Sequence, residues 1–384
     1  MTVVGIIGGG QLARMLALAA APMGIETHIY DPSPDACARF VARQTCAAFD
    51  DHLALAAFAR QVDVVTFDFE NVPATALASM AGQYRIAPNP RALAVSQDRF
   101  VEKSTFQKLG MAVPAYRCVD DRQGLDDAVN QLGFPCVVKT RRLGYDGKGQ
   151  YWIRQAEDIS TAWRALGAQA ATVGLIAEAG VRFEREVSMV AVRNEQGEFA
   201  SWPLIENWHV GGVLSASLAP APQSDRLTLQ ALHYAQTLAN YLEYVGTFAL
   251  EFFVHNGQLL ANEMAPRVHN SGHWTIEGAE VSQFENHLRA LLNWPLGATT
   301  ARGHTCMLNW LGTLPDRHAF LGVAGSHWHD YGKQARRGRK IGHGTLCRSS
   351  LSDLVTSLVQ VGKVLERSEQ VAPVLARVAA SEKR

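Results

Sequence analysis

Four groups of residues in this chain have types and spacings suited to chemistry. The first is residues 134–150, FPCVVKTRRLGYDGKGQ, where an apolar run (Cys136, Val137, Val138) ends in Lys139. Gly144, Gly147 and Gly149 follow, with Asp146 and Lys148 among them. A lysine fixed at a strand end beside a glycine loop suits nucleotide phosphates: the ammonium offsets charge, and backbone N–H groups can approach the oxygens closely. The spacing is not that of a P-loop, which needs Lys-Ser/Thr directly after the glycines. A hairpin tip carrying solvated charges is the plain alternative.

The second group is Glu251 and Glu263, on two apolar β-prone segments (248–254 and 258–263) joined around Asn256-Gly257. A two-residue loop would put the acids on opposite faces. A three-residue loop, His255 to Gly257 with Gly257 left-handed, pairs Val254 with Gln258. Glu263 then lies opposite Ala249, on the same face as Glu251 and diagonal to it at about 7–8 Å between Cα atoms, with Asn262 facing away. Unless both sit on a solvated face, such acids repel without a cation, and Mg²⁺ takes carboxylate oxygens together with phosphates. The third group, Arg267, His269, Asn270, Ser271, Gly272 and His273, follows at once, a set of donors suited to an anion pocket. The fourth group is basic: Lys333, Arg336, Arg337, Arg339, Lys340, His343 and Arg348. Charge runs are usually solvated loops, but Arg and Lys also match a phosphorylated substrate.

These groups need elements to hold them. Val3–Ile7 reads as a buried strand, Gly8-Gly9-Gly10 as a turn and 12–20 as a helix, which together start a Rossmann-like unit. Glu26–Tyr30 is the next strand and ends in Asp31, so Gly8-x-Gly10-x-x-Ala13 loosely matches a dinucleotide fingerprint and keeps an NAD-dependent dehydrogenase in play. Glu70 follows the strand 62–67. It is placed either to meet substrate at a strand's C-terminal end or to cap the loop before Pro73. Pro88-Asn89-Pro90 reads as a linker and 96–109 as one helix ending at Gly110. Arg99 lies in that helix's first turn, where the dipole disfavours a cation, so a partner anion is expected. Leu175–Ala179 is a strand carrying Glu178, and 181–192 is β-prone with Glu184 and Glu186 on one face and Arg185 on the other. Beyond a Gly211-Gly212 turn, 224–241 is an amphipathic helix. Strands at 303–311 and 326–331 and a helix at 351–367 complete the chain.

Composition narrows the classes. The 384 residues are 47% hydrophobic and 19% charged, which suits two or three globular domains. Lys+Arg and Asp+Glu both number 36, so no global field draws the chain to nucleic acid or membrane. Six cysteines without a CxxC pair fit a reducing cytosol. No signal peptide and no membrane-spanning run are expected.

Taken together, the motifs GGGQLARM (8–15), FDFENV (67–72), QDRF (97–100), VVKTRRLGYDGKGQ (137–150), EFF (251–253), NEMAPRVHNSGHWT (262–275) and YGKQARRGRKIGH (331–343) resemble the ATP-grasp ligases. Within them they resemble the 5-(carboxyamino)imidazole ribonucleotide synthetase family. Ala13 and Asp68 depart from that family's usual glycine and glutamate. The resemblance implies an α/β chain: a Rossmann-like pre-ATP-grasp domain (1–95), a central α+β ATP-grasp domain (96–300, with a flap subdomain about 112–182) and a small β-rich C-terminal domain (301–384). It implies carboxylation of 5-aminoimidazole ribonucleotide (AIR) with ATP and bicarbonate through carboxyphosphate, a step of purine biosynthesis.

Roles follow at the matched positions. Arg99 and Lys139 would meet ATP phosphates, under a flap of Gly144, Tyr145, Asp146, Gly147, Lys148, Gly149 and Gln150. Glu178 and Val181 would flank adenine, Glu186 would take the ribose, and His209, Asn262 and Glu263 would complete the nucleotide site. Glu251 and Glu263 would hold one or two Mg²⁺ ions. Arg267 would hold bicarbonate, and Asp146 would accept a proton. Gln11, Leu12, Glu70, His269, Asn270, Ser271, Lys333 and Arg339 would serve the substrate. A cytoplasmic homodimer is implied. A formate-using ATP-grasp enzyme acting on glycinamide ribonucleotide is the nearer alternative.

Overall fold

The computed structural model describes residues 1–144 and 149–382 and holds three sheets. Tyr145, Asp146, Gly147 and Lys148 lie outside the described residues. In the first sheet, Val3–Ile7 pairs in parallel with both Glu26–Tyr30 and Val64–Phe67, and Arg43–Thr45 forms an edge. The central strands Val3–Ile7 and Val64–Phe67 read as almost continuous apolar runs because both faces are covered, one by the helix Gln11–Ala20 and the other around Phe58, Phe67 and Leu77.

The glycine turn after Val3–Ile7 is filled from within. Asp68 Oδ2 accepts from the Gly10 and Ala13 N–H groups at 2.7 and 3.4 Å, and Asp31 Oδ2 accepts from Gly9 N–H at 2.7 Å. Gly8 sits at φ +100°, and a Cβ there would meet Asp68 Oδ1 at 1.8 Å. A dinucleotide's pyrophosphate needs those free N–H groups. Here the chain's own carboxylates hold them, so the dehydrogenase reading is set aside.

Two local expectations are corrected. Pro88-Asn89-Pro90 is not a free linker: Asn89 caps the helix Pro90–Ser96 by accepting from Ala92 N–H at 3.0 Å, and its amide donates to the Leu242 carbonyl at 2.7 Å. Ser96 ends a separate helix, Pro90–Ser96, and the helix expected from there starts three residues later, as Arg99–Lys108. The second is started by Asp98, which accepts from Phe100 and Val101 N–H groups.

A small antiparallel sheet follows, in the order Tyr116–Val119, Leu175–Ala179, Cys136–Thr140, Gln150–Ile153. Helices Arg122–Leu132 and Asp158–Leu166 cover it around Val129, Val138 and Leu166.

The large sheet has nine strands. Gln258–Ala265, Gly246–His255, Arg185–Arg193, Ile205–Val210 and Val213–Ala219 continue without a break into His304–Leu311, Lys340–Arg348 and Ser326–Asp330, with Phe199–Ser201 paired to Arg185–Arg193. The C-terminal strands therefore extend the central sheet rather than form one of their own. Helices Leu351–Val364 and Ser368–Glu382 close over them around Trp310 and Leu358, where one helix was expected.

The hairpin 246–265 corrects the expected register. Asn256 (φ 50°) and Gly257 (φ 68°) form a two-residue turn, and His255 pairs with Gln258. Counting by two from that turn would put the acids on opposite faces. A bulge at Asn262 adds one residue, so Glu251 lies directly opposite Glu263 rather than diagonal to it.

Candidate active site

The three sheets line one cavity of about 830 Å³. At one wall, Lys139 and Glu178 lie on adjacent strands of the small sheet. One oxygen of Glu178 meets Lys139 Nζ at 3.1 Å and Lys103 Nζ at 3.3 Å. Burial opposes ionisation of Glu178, but Lys103 and Lys139 outweigh it and hold the carboxyl down to about 2. Burial lowers the Lys139 ammonium, and Glu178 opposes that loss. Two ammoniums share one carboxylate, so the wall carries surplus positive charge, as a polyphosphate requires. The other Glu178 oxygen is buried without a hydrogen-bond partner among the described residues. Gly144, Gln150 and Val181 line the same end of the cavity, whereas Gly149 is not part of its wall.

Across the cavity the bulge brings Glu251 and Glu263 together. Burial first, then Glu263, pushes the Glu251 carboxyl up to about 7. Arg99 Nη1 reaches Glu263 at 3.2 Å, the anion partner its helix position called for. Glu102, one turn on, accepts from Met264 N–H at 2.7 Å; burial and then Glu263 push its carboxyl up to about 8. Crowded, half-suppressed carboxylates suit a divalent cation. Among the described residues, no three His, Cys, Asp or Glu side chains are grouped to hold a metal. Two oxygen ligands completed by phosphates, as Mg²⁺ takes them, fit this donor set. Asn262 lines the cavity instead of facing away, because the bulge turns it.

His209 Nδ1 meets Glu186 Oε2 at 2.5 Å. Burial would lower this imidazole, but the Glu186 hydrogen bond raises it. Deeper in, Arg267 Nε donates to Glu70 Oε2 at 2.5 Å, tying the first sheet to the large one. Burial opposes ionisation of Glu70, and Arg267 outweighs it. His269 Nε2 lies 3.3 Å from Glu251 Oε1. Burial and then Arg267 hold its imidazole well below the ordinary range. Asn270 lines the cavity with both amide atoms buried and unpartnered among the described residues, ready for a ligand.

Gln11 and Leu12 line the far end. Lys333 Nζ contacts Gln11 Oε1 and stands behind the wall rather than in it. Arg339 also lies outside the wall and donates to the Gln334 carbonyl at 3.4 Å. Ser271 is fully buried and bonds to other side chains. Sequence reading missed Lys103 and Glu102, and it placed Lys340 only in the basic cluster, where Lys340 and not Lys333 or Arg339 lines the cavity. The i, i+3 and i, i+4 spacing of Glu102 and Lys103 from Arg99 on one helix was the available signal.

Family models match in three blocks: a ribonucleotide synthetase preATP-grasp domain over residues 1–97, an ATP-grasp domain over 104–284 and a phosphoribosylaminoimidazole carboxylase C-terminal domain over 305–356. The N5-carboxyaminoimidazole ribonucleotide synthase of Pseudomonas aeruginosa is 46% identical over 365 residues, covering 94% of this chain and 99% of that one. This chain belongs to the N5-carboxyaminoimidazole ribonucleotide synthase family. A second member, from Brucella melitensis, is 45% identical over 89% of this chain and 95% of its own.

Solved structures of the family agree in fold. The N5-carboxyaminoimidazole ribonucleotide synthetase of Thermus thermophilus superposes with a TM-score of 0.89 at 48% identity, covering 94% of this chain and 98% of that one. The Aspergillus clavatus N5-carboxyaminoimidazole synthase, solved in complex with ADP and 5-aminoimidazole ribonucleotide, superposes with a TM-score of 0.87 at 29% identity over 95% and 99% of the two chains. The members are ATP-grasp ligases, and the three-part α/β architecture is theirs.

Proposed function

We propose that this chain carboxylates AIR with ATP and bicarbonate, giving N5-carboxyaminoimidazole ribonucleotide, ADP and phosphate. The carrying observation is the Glu251–Glu263 pair facing Arg99, Lys139 and the unpartnered Asn270 amide in one cavity. Bicarbonate is a poor electrophile. A bicarbonate oxygen attacks the γ-phosphorus, ADP leaves, and carboxyphosphate forms. Loss of phosphate then yields CO₂, which the AIR amine captures as it gives up a proton.

Phosphoryl transfer asks a protein mainly for positioning and charge cancellation. Arg99 and Lys139 supply fixed positive charge to the phosphates. Mg²⁺ bound by Glu251 and Glu263 would add charge cancellation when present. Arg267 and Asn270 orient the one-carbon acid, with Glu70 holding Arg267 in place. Glu186 and His209 take the ribose, while Glu178 and Val181 flank the base. Gln11 and Leu12 line the AIR end, and the cations behind that wall, half-buried Lys333, set by Gln11, and Arg339, would serve the phosphate of AIR. The same reading divides the chain at 1–95, 96–300 and 301–384 and makes it a cytoplasmic homodimer. Among the described residues no helix is long and apolar enough to cross a membrane, and sedimentation tests the dimer.

The deciding experiment is ADP release in a matrix of AIR, glycinamide ribonucleotide, bicarbonate and formate. The expected result is release that needs bicarbonate and is fastest with AIR. Release driven by formate and glycinamide ribonucleotide would transfer the site to the other ligase reaction.

A further inference from the structure

Behind the two acids a row of polar side chains runs from the cavity wall into the interior. It starts at His269, whose Nε2 faces Glu251 Oε1 at 3.3 Å. His269 Nδ1 is 2.9 Å from Ser271 Oγ, Ser271 Oγ is 2.8 Å from Ser188 Oγ, and Ser188 Oγ is 2.8 Å from Asn207 Nδ2. Asn207 Oδ1 in turn lies 2.8 Å from Ser217 Oγ. Ser188, Ser217 and Ser271 are 0% exposed and Asn207 is 4% exposed. Strand register makes the row: Ser188 is the cross-strand partner of Glu251, and Asn207 is the partner of both Glu186 and Ser217.

The row has a direction. The Ser271 backbone N–H points at His269 Nδ1 at 3.3 Å. A backbone N–H can only donate, so Nδ1 is an acceptor and carries no proton. The Ser271 hydroxyl then also donates to Nδ1, and its oxygen accepts from Ser188. Ser188 accepts from the Asn207 amide nitrogen, which can only donate, and the Asn207 carbonyl oxygen accepts from Ser217. Every bond is satisfied in this sense. Reversing it at any one residue puts two donors or two acceptors face to face in a dry interior, where unmade hydrogen bonds are costly.

We propose that Asn207 and Ser188 are positioning residues that fix the His269 proton on Nε2, so that an N–H rather than a lone pair is turned towards Glu251, one of the two facing carboxylates. The proposal rests on the reaction proposed above for its effect on rate, but not for the tautomer. Outer hydrogen bonds of this kind set both the proton position and the ring angle of a histidine beside a metal-ligating acid, and their loss typically costs about 10–100-fold in affinity or activity.

The test uses the full chain labelled with ¹⁵N-histidine and no nucleotide. Two-bond ¹H–¹⁵N spectra report which ring nitrogen is protonated, and the His269 signals are those missing from a His269→Gln sample. The expected result is a protonated Nε2 and a bare Nδ1. A proton on Nδ1 overturns the proposal, whether or not any variant folds. Asn207→Leu is nearly isosteric and offers Ser188 no donor, so the Ser188 and Ser271 hydroxyls are free to turn and only the backbone N–H at 3.3 Å still holds Nδ1. The Nε2–H population of His269 is expected to fall and bicarbonate-dependent ADP release to drop at least about tenfold. Ser188→Ala, a smaller change in the core, should mix the two tautomers and cost less. Folded variants with unaltered His269 signals, or with altered signals and full turnover, would also overturn it. Failure of the wild-type chain to use bicarbonate counts against the proposed reaction alone, because the spectra need no substrate.

Discussion

Glu178 places one negative charge between the buried Lys103 ammonium and that of Lys139 at the cavity wall, and this arrangement has a pH signature. Its carboxyl drops from an ordinary 4.5 to about 2 on folding. A depressed carboxyl stabilises the fold fully above its unfolded value and loses that contribution as pH falls through the folded one. The stability gap between wild type and Glu178→Gln, measured by urea unfolding, should therefore be constant above pH 4.5 and shrink towards pH 2. At neutral pH the gap should be roughly 3 kcal/mol. A second substitution addresses the chemistry. Glu263→Ala should leave the fold intact and cut ATP turnover by at least about a hundredfold; normal bicarbonate-dependent ADP release would remove the metal assignment. Lys333→Ala and Arg339→Ala should chiefly raise the KM for AIR, and a rise confined to the KM for ATP would move the basic cluster to the nucleotide. The residues facing the cavity were largely legible in the sequence, since a lysine beside glycines and acids in an apolar hairpin are locally conspicuous. Lys103, Ser188 and Asn207 were not. Each matters through a partner more than ten residues away in the chain, and nothing beside it in the sequence announces that partner.

Among the elements, the hairpin that carries the acids shows where counting fails. Strand type and turn residues were legible, but parity assumes one residue per rung, and the extra residue at Asn262 breaks that assumption. The strand Lys340–Arg348 was hidden for another reason. Gly342 and Gly344 interrupt its pattern because rings need the room: a Cβ on Gly344 would meet Phe320 at 2.4 Å and Trp310 at 2.5 Å. Two glycines at turns make a paired test. Gly257 has φ +68° and open space around its missing Cβ, so Gly257→Ala should cost about 1 kcal/mol in thermal unfolding and leave kcat unchanged. Gly8 has φ +100° and Asp68 Oδ1 in the way, so Gly8→Ala should cost roughly 2–4 kcal/mol and disturb the AIR end as Asp68 is displaced. Equal losses in the two variants would show that Asp68 does not brace the turn.

At the scale of the whole molecule, the order of domains was legible from the succession of motifs, but the continuity of the large sheet was not. Nothing in the spacing says that His304–Leu311 will pair with Val213–Ala219. A chain cut after residue 300 would bare that strand's edge and strip the cover from Ala216 and Leu218. It should aggregate rather than fold, and a soluble, monodisperse product that still binds ATP would count against a shared core. The Glu70–Arg267 contact acts at the same scale. It rivets the first sheet to the large one, so swinging those two apart like jaws would break a charge-assisted bond worth roughly 2–3 kcal/mol. The small sheet is clasped at two acids as well: Glu178 lies between Lys103 and Lys139, and Asp98 takes Arg141 and Arg142. A phosphate drawn to Lys139 would compete with Glu178 for that ammonium while the Asp98 clasp keeps the wall in place.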